Sequence, residues 1–379
     1  MFIEKHLGPI FDNSYIQESK EKTATTSTPL EILPLSVCKT LSDLRDVALK
    51  VMPQRGKVYF LSGAETMNAF DGNLTDWNRV KFRPRVLRNV AKVSMRCSIM
   101  GAKSTLPVFI APAAHARLGH DDGELCLVRG ATRMGIPQCI CTYASVGHTE
   151  LVNTFQTDPG RRGGAIFFQL YVPKEKAAAT DLIAKAKSLG FQALVVTVDS
   201  PVVGKRDDDD RFTSTLDYEA GIREDSSVPC LPGEEPGPLR AFHSPTLDWN
   251  DLTWIRECWG SKPIILKGIQ TVEDAVEATR HDINGIYLSN HGGRQLDYAP
   301  SSVEVLLEIG KYHPDIFRKV DVYVDGGIMR GSDVVKALCL GARAVGIGRG
   351  FMFALSAYGT EGVLKAISSK HSPNLYELY

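Results

Sequence analysis

The chain has 379 residues, 43% of them apolar and 23% charged, with Lys+Arg and Asp+Glu both at 44 and no formal net charge. That is chain enough for a sizeable core. The balanced charge lacks the basic excess of a nucleic-acid binder, and no run approaches the roughly 18 consecutive apolar residues of a membrane span. The N-terminus is neither a secretory signal nor an Arg-rich transit peptide. The C-terminal NLYELY is not a Ser-Lys-Leu address. Eight scattered cysteines fit a reducing compartment, so the cytoplasm is the expected location.

The first 45 residues, polar and rich in Ser and Thr, are expected to form an arm, irregular over residues 1–30. A helix is predicted over 42–61, interrupted near Pro53. From residue 107 short apolar runs recur without polar alternation: PVFIAPAA, GIPQCICT, AIFFQLYV, ALVVTVDS, PIILKGI, GIYLSN, DVYVDGG and AVGIGRG. Strands covered by helices on one side and packed on the other read this way. Helix-patterned segments lie between most of them, such as KEKAAATDLIAKAKSLG, closed by Gly190. The class is therefore α/β, and eight repeats favour a (β/α)8 TIM barrel over residues 46–379 with an N-terminal helical extension. One connection is longer than the rest: after TVDSP more than 45 residues precede TLDWNDLTWIRECWG. A lid is expected there, at about 201–247, since connections this long are usually functional or disordered. Its RDDDDRF reads as a solvated charge run, because consecutive residues cannot all face one ion. Cys139 and Cys141, two apart on one strand, read as small buried hydrophobes, and no metal site is expected.

In a barrel, chemistry sits at the C-terminal ends of the strands. The third run ends in Gln169 and Tyr171, the fourth in Thr197 and Asp199 with Arg206 beyond, and the fifth in Lys267. The sixth delivers Ser289, Asn290, His291, Gly292, Gly293 and Arg294; the seventh Asp325, Gly326 and Gly327; the eighth Gly346, Gly348 and Arg349. Each alone has a bland structural reading; the set at one rim points to a site. Glycine-rich ends on the last two strands form the usual phosphate corner of such barrels. A strand-end His beside an Asp from another strand makes an oriented base, and an Arg three residues on offers a carboxylate its two-pronged fork. Base, carboxylate clamp and phosphate corner imply oxidation beside a carboxylate with a phosphorylated cofactor, since no side chain accepts a hydride.

SNHGGRQLD resembles the active-site signature of the FMN-dependent 2-hydroxy acid oxidases and dehydrogenases, and VYFLSGAE, NRVKFRPRVL, FFQLYV, TVDSPVVGKR, ILKGI, DGGIMRG and GIGRGF keep that family's order. The resemblance implies FMN as cofactor, a small carboxylate substrate, dioxygen or an external electron acceptor, and a homo-oligomer, commonly a tetramer. It implies His291 as base, Asp199 as its partner, Lys267 beside the flavin and Tyr171 at the substrate hydroxyl. Tyr59, Arg206, Arg294 and Tyr143 would line the substrate; Ala113, Cys141, Gln169, Thr197, Ser289, Asp325, Gly327, Arg330, Gly348 and Arg349 would hold FMN. Departures are Met329 where a basic residue is usual, Ala113 and Ala114 in place of a Thr-Ala turn, Cys141 where a hydroxyl is common, and Gly350 for a proline. The family's last helix and tail run longer, so exposed apolar surface there would favour oligomerisation. Two rival readings are the same flavin chemistry on a specialised carboxylate such as a cyclic amino acid, and a non-catalytic relic.

Overall fold

The computed structural model describes residues 32–219 and 243–368. Three helices come first, α1 (Leu41–Val51), α2 (Gln54–Leu61) and α3 (Asn68–Arg79). Thr40 starts α1 with a capping box: its side chain accepts the Asp43 N–H while the Asp43 carboxylate accepts the Thr40 N–H. Pro53 cannot continue a helix, and it caps α2 instead. The helix expected over 42–61 is thus two helices broken where the proline stands. The boundary expected at residue 45 falls inside α1, which already buries Leu44, Val47 and Ala48.

A short antiparallel hairpin follows, β1 (Cys97–Ile99) and β2 (Ala102–Ser104). It is absent from the expected elements because three-residue strands carry no periodic signal. Eight parallel strands then close a barrel: β3 (Val108–Ile110), β4 (Gln138–Ile140), β5 (Ile166–Tyr171), β6 (Leu194–Thr197), β7 (Ile264–Ile269), β8 (Gly285–Leu288), β9 (Asp321–Val324) and β10 (Ala344–Ile347), with β10 pairing back onto β3. These are the eight apolar runs of the sequence. The helices between and around them are α4 (Glu124–Met134), α5 (His148–Thr157), α6 (Lys176–Ser188), α7 (Asp207–Glu219), α8 (Asp251–Trp259), α9 (Val272–Ala278), α10 (Ser302–Tyr312), α11 (Ile316–Lys319), α12 (Gly331–Cys339) and α13 (Arg349–Ser368), the last kinked at Tyr358 and Gly359. No helix among the described residues is long and apolar enough to cross a membrane.

The strands have two buried faces, which is why no alternation shows in the sequence. One set of residues faces the helices; the other fills the barrel. Phe109, Cys139, Phe167, Val195, Ile265, Tyr287, Tyr323 and Ala344, one from each strand, form an apolar interior layer with Ile99 and Met100 of the hairpin. Side chains alternate along a strand. Two residues further on, the interior positions are therefore Ala111, Cys141, Gln169, Thr197, Lys267, Ser289, Asp325 and Gly346. The interior turns polar in one step at the C-terminal rim.

The long fourth connection is not a bare loop. RDDDDRF opens α7, with Asp207–Asp210 in its first turn, where carboxylates complement the helix dipole. Asp208 pairs with Arg211 at 2.7 Å, and Asp209 pairs with Arg55 of α2. The expected solvated run is a helix start tied to the N-terminal extension. Residues 220–242 of the expected lid lie outside the described residues.

Candidate active site

His291 sits on a turn in which three successive residues have positive φ: His291 at 59°, Gly292 at 66° and Gly293 at 73°. A non-glycine residue held there is strained, and such strain concentrates at functional sites. The glycines are sterically required. A Cβ on Gly292 would lie 2.7 Å from Arg349 Nη2, and one on Gly293 2.4 Å from the Phe70 backbone nitrogen. Asn290 Oδ1 accepts from Gly293 N (3.0 Å) and Asn73 Nδ2 (2.7 Å), fixing the turn against α3. Asp297 accepts the Ala69 N–H at 2.8 Å and so caps α3 from the far end of the same motif.

His291 Nδ1 is 2.9 Å from Asp199 Oδ1. A carboxylate can only accept, so Nδ1 carries the proton and Nε2 presents its lone pair. Nε2 meets the Tyr171 hydroxyl at 3.1 Å. Burial pushes the Tyr171 pKa well up, which keeps it a neutral donor. Ser200 Oγ adds a second hydrogen bond to Asp199 Oδ1 at 2.9 Å. Lys267 Nζ lies 3.8 Å from Asp199 Oδ2, with both side chains almost wholly buried. Burial alone would raise the Asp199 pKa; the His291 and Lys267 charges outweigh it and hold it at about 2. The His291 pKa moves down from its ordinary 6.5, because burial and Lys267 oppose the attraction of Asp199.

Arg294 is split between two tasks. Its Nη1 donates to Tyr59 O (2.7 Å) and Ser62 O (3.0 Å) at the end of α2, and its guanidinium lies over the Tyr59 ring at 4.7 Å. Its Nη2 is buried and has no partner. Burial and the neighbouring Arg206 push its pKa down to about 10. A buried cationic nitrogen without an acceptor is costly, so this atom fits an incoming anion. Arg206 Nε donates to Arg294 O at 3.4 Å, which brings the second arginine to the same place. Tyr143 stacks beside Tyr171, with ring centroids 5.4 Å apart at 21°.

The rim beside this dyad fits a flavin. Lys267 Nζ donates to Ser289 Oγ at 3.2 Å, and Gln169 bridges Thr197 Oγ1 (2.9 Å) and Thr142 N (3.2 Å). Cys141 is buried, and Ala113 is half-buried on the adjoining turn. At the glycine corner a Cβ on Gly327 would lie 1.6 Å from Asn73 O, while one on Gly348 would meet only Ala111 Cβ at 3.9 Å. Gly348 is thus open where Gly327 is packed under α3. Arg349 donates to Gly292 O and covers the Phe70 ring at 4.2 Å; its Nη1 is buried and unpartnered, as is Asp325 Oδ1. Burial and Arg294 push the Arg349 pKa down to about 9. That arginine fits a phosphate. Arg330 is exposed, its backbone N–H donating to Asp333 Oδ2 at 3.0 Å, and Met329 N shares the same carboxylate at 3.2 Å.

Ser200, Ser62 and His243 are among the residues of this site that the sequence did not single out. Ser200 sits beside Asp199 but carries no motif of its own. Ser62 contributes a carbonyl, which any residue has. His243 follows the long connection with no pattern around it, yet it stacks on Tyr171 with centroids 4.2 Å apart.

A barrel whose rim joins an oriented imidazole, a half-free arginine and a cationic glycine corner belongs to the class of (β/α)8 flavin-binding oxidoreductases. The chain is a member of the FMN-dependent dehydrogenase family, whose model matches residues 48–371. It is 35% identical over 370 residues to the L-lactate dehydrogenase (cytochrome) of Wickerhamomyces anomalus, covering 96% of this chain and 63% of that protein's length. It is 38% identical over 340 residues to 2-hydroxyacid oxidase 2 of Bos taurus, covering 88% of this chain and 91% of the relative. Among solved structures it is similar to the flavin-binding domain of baker's yeast flavocytochrome b2, with TM-score 0.79, 33% identity, and 89% of this chain and 81% of that chain covered.

Proposed function

We propose that the protein oxidises a small L-2-hydroxy acid to the 2-oxo acid. The observation that carries this reading is the pairing of a proton-accepting His291 Nε2 with the unpartnered Arg294 Nη2 at one rim. The substrate carboxylate takes the free Arg294 nitrogen and the Tyr59 hydroxyl. Tyr171 bonds the substrate oxygen, and Arg206 supports the anion from the side. Tyr143 forms the wall toward the substrate's side chain. His291 Nε2 takes one proton, from the hydroxyl or from Cα. Asp199, ionised and hydrogen-bonded to Nδ1, stabilises the imidazolium that results. FMN, when bound, supplies the two-electron sink. Gln169, Thr197, Cys141, Ala113 and Ser289 would line its ring, and Lys267 would place a positive charge beside it. Asp325, Gly327, Arg330, Gly348 and Arg349 would hold its ribityl phosphate end. Dioxygen or a separate acceptor then removes the electrons, and the family resemblance supports a homo-oligomer.

The test is anaerobic. The yellow FMN-loaded protein is mixed with L- and D-2-hydroxy acids and with cyclic amino acids, and the visible flavin band is followed. Bleaching by an L-2-hydroxy acid is expected. A yellow protein that no 2-hydroxy acid bleaches, but a cyclic amino acid does, would overturn the substrate class.

A further inference from the structure

His243 is 8% exposed and stands where the chain rejoins the barrel after the long connection. Its backbone is anchored independently of its ring: it pairs with Pro173, and the Ser244 N–H donates to Val172 O at 2.7 Å. The ring lies flat on Tyr171, 4.2 Å between centroids and 5° between planes. Nδ1 is 2.8 Å from Ser200 O, and Nε2 is 3.2 Å from the Tyr143 hydroxyl. A carbonyl only accepts, so Nδ1 holds the proton. In a neutral imidazole Nε2 then accepts, and Tyr143 must donate. Burial, which lowers the His243 pKa, keeps the ring in that neutral form.

The consequence falls on Tyr143. It is 37% exposed, so packing alone leaves it room to turn. The bond to His243 fixes its hydroxyl, and the stack fixes its plane at 22° to the imidazole. Through Ser200 the same histidine reaches the base: the Ser200 carbonyl accepts from His243, and its hydroxyl donates to Asp199. Through Tyr171 it backs the hydroxyl that meets His291.

We infer that His243 is a positioning residue that locks Tyr143 and Tyr171 into one wall of the substrate pocket and thereby sets which side chains on the 2-hydroxy acid are accepted. The inference rests on the proposed oxidation of 2-hydroxy acids. A fixed wall discriminates between side chains by shape; a wall free to turn accepts several about equally.

The experiment uses the FMN-loaded full chain with His243→Phe, Tyr143→Phe and the double variant. Phenylalanine keeps a flat ring on Tyr171 and removes both hydrogen bonds. Anaerobic flavin reduction is measured against a series of L-2-hydroxy acids of increasing side-chain size. Tyr143→Phe is expected to raise KM for the preferred substrate roughly three- to tenfold, the worth of one hydrogen bond, and His243→Phe by at least as much; each should lower kcat by less and flatten the preference across the series. The double variant should match His243→Phe, because Tyr143→Phe removes only a bond that His243→Phe has already removed. Additive effects, or an equal loss on every substrate, would overturn the inference. Should His243→Phe not fold, Tyr143→Phe alone decides, since an unchanged preference there removes the wall from the argument. If the unmodified protein is not reduced by any 2-hydroxy acid, the proposed activity fails and the inference with it; normal reduction with additive variants sinks the inference only.

Discussion

Replacing Arg294 with lysine separates the two tasks of its guanidinium. Nη1 bonds the carbonyls of Tyr59 and Ser62 at 2.7 and 3.0 Å, while Nη2 is buried with no partner. An ammonium offers one nitrogen in place of this fork. The carbonyl end of α2 carries the negative end of the helix dipole, so the lysine is drawn there and stays. Charge in the pocket is kept, which spares the fold, but the direct bond to a substrate carboxylate is lost. A hydrogen bond to a charged group is worth about 1.5–3 kcal/mol. At about 1.4 kcal/mol per tenfold, kcat/KM for Arg294→Lys should fall by roughly 10- to 150-fold. The assay is rapid-mixing anaerobic flavin reduction over a range of substrate concentrations, with the flavin spectrum and Tm as controls. The loss should appear mainly as weaker substrate binding. A kcat/KM within threefold of the unmodified protein, with flavin and Tm intact, would show that Arg294 Nη2 does not meet the substrate.

Asp199→Asn removes the negative charge that stabilises a protonated His291 while leaving a side chain of the same size. The limiting rate of flavin reduction should drop by roughly 10²–10⁴, the usual range for general-base chemistry, and retention of the yellow colour would separate this from loss of cofactor. The pH profile follows from the base: His291 must be unprotonated to act, and its pKa lies below 6.5. So kcat/KM in the free enzyme should be low in acid, rise through an apparent pKa below 6.5, and be level by neutrality; a rise centred above pH 7 would contradict the assignment. Gly327→Ala would place a Cβ 1.6 Å from Asn73 O at a φ of 74°. Since overpacking costs about 1–3 kcal/mol, Tm and FMN retention should both fall; unchanged values of both would mean that α3 does not brace the phosphate corner.

The barrel was legible because burial on two faces writes a strand as an unbroken apolar run. All eight runs became strands, and residues two positions beyond each interior layer became the rim. Gln169, Thr197, Lys267 and Ser289 could be picked out as strand-end polar residues for that reason. What stayed hidden has physical causes too. The β1–β2 hairpin is three residues per strand, too short for period to show. RDDDDRF looked like solvated charge because the pairing of its Asp209 depends on Arg55, 154 residues earlier in the chain, a partner no local pattern announces. His243 touches its neighbours through ring stacking, one carbonyl and the Tyr143 hydroxyl, and none of these leaves a spacing. Within SNHGGRQLD the opposite holds. His291 and Arg294 drew attention as chemistry, while Asn290 and Asp297 carry the hydrogen bonds that hold the turn and cap α3.

The electrostatics of the rim argue that these groups act as one device. The Asp199 side chain is fully buried, and its two oxygens are divided: Oδ1 serves His291 and Ser200, and Oδ2 faces Lys267 at 3.8 Å. With neutral His291 the trio of Asp199, Lys267 and His291 sums to zero. A buried site accepts a change of charge only when a matching one appears. A proton arriving on His291 makes the trio positive by one. FMN, if held beside Lys267 as proposed, would take up the matching negative charge on accepting the substrate's two electrons. Arg294, its pKa pushed down to about 10 by burial and Arg206, keeps one buried nitrogen without a partner, as Arg349 does at the glycine corner. On the proposed reading a substrate carboxylate would satisfy that nitrogen of Arg294 before the reaction begins. Under the proposed function the arrangement would select an anionic substrate at the clamp and couple oxidation to proton transfer at the base, with both residues on one glycine-hinged turn.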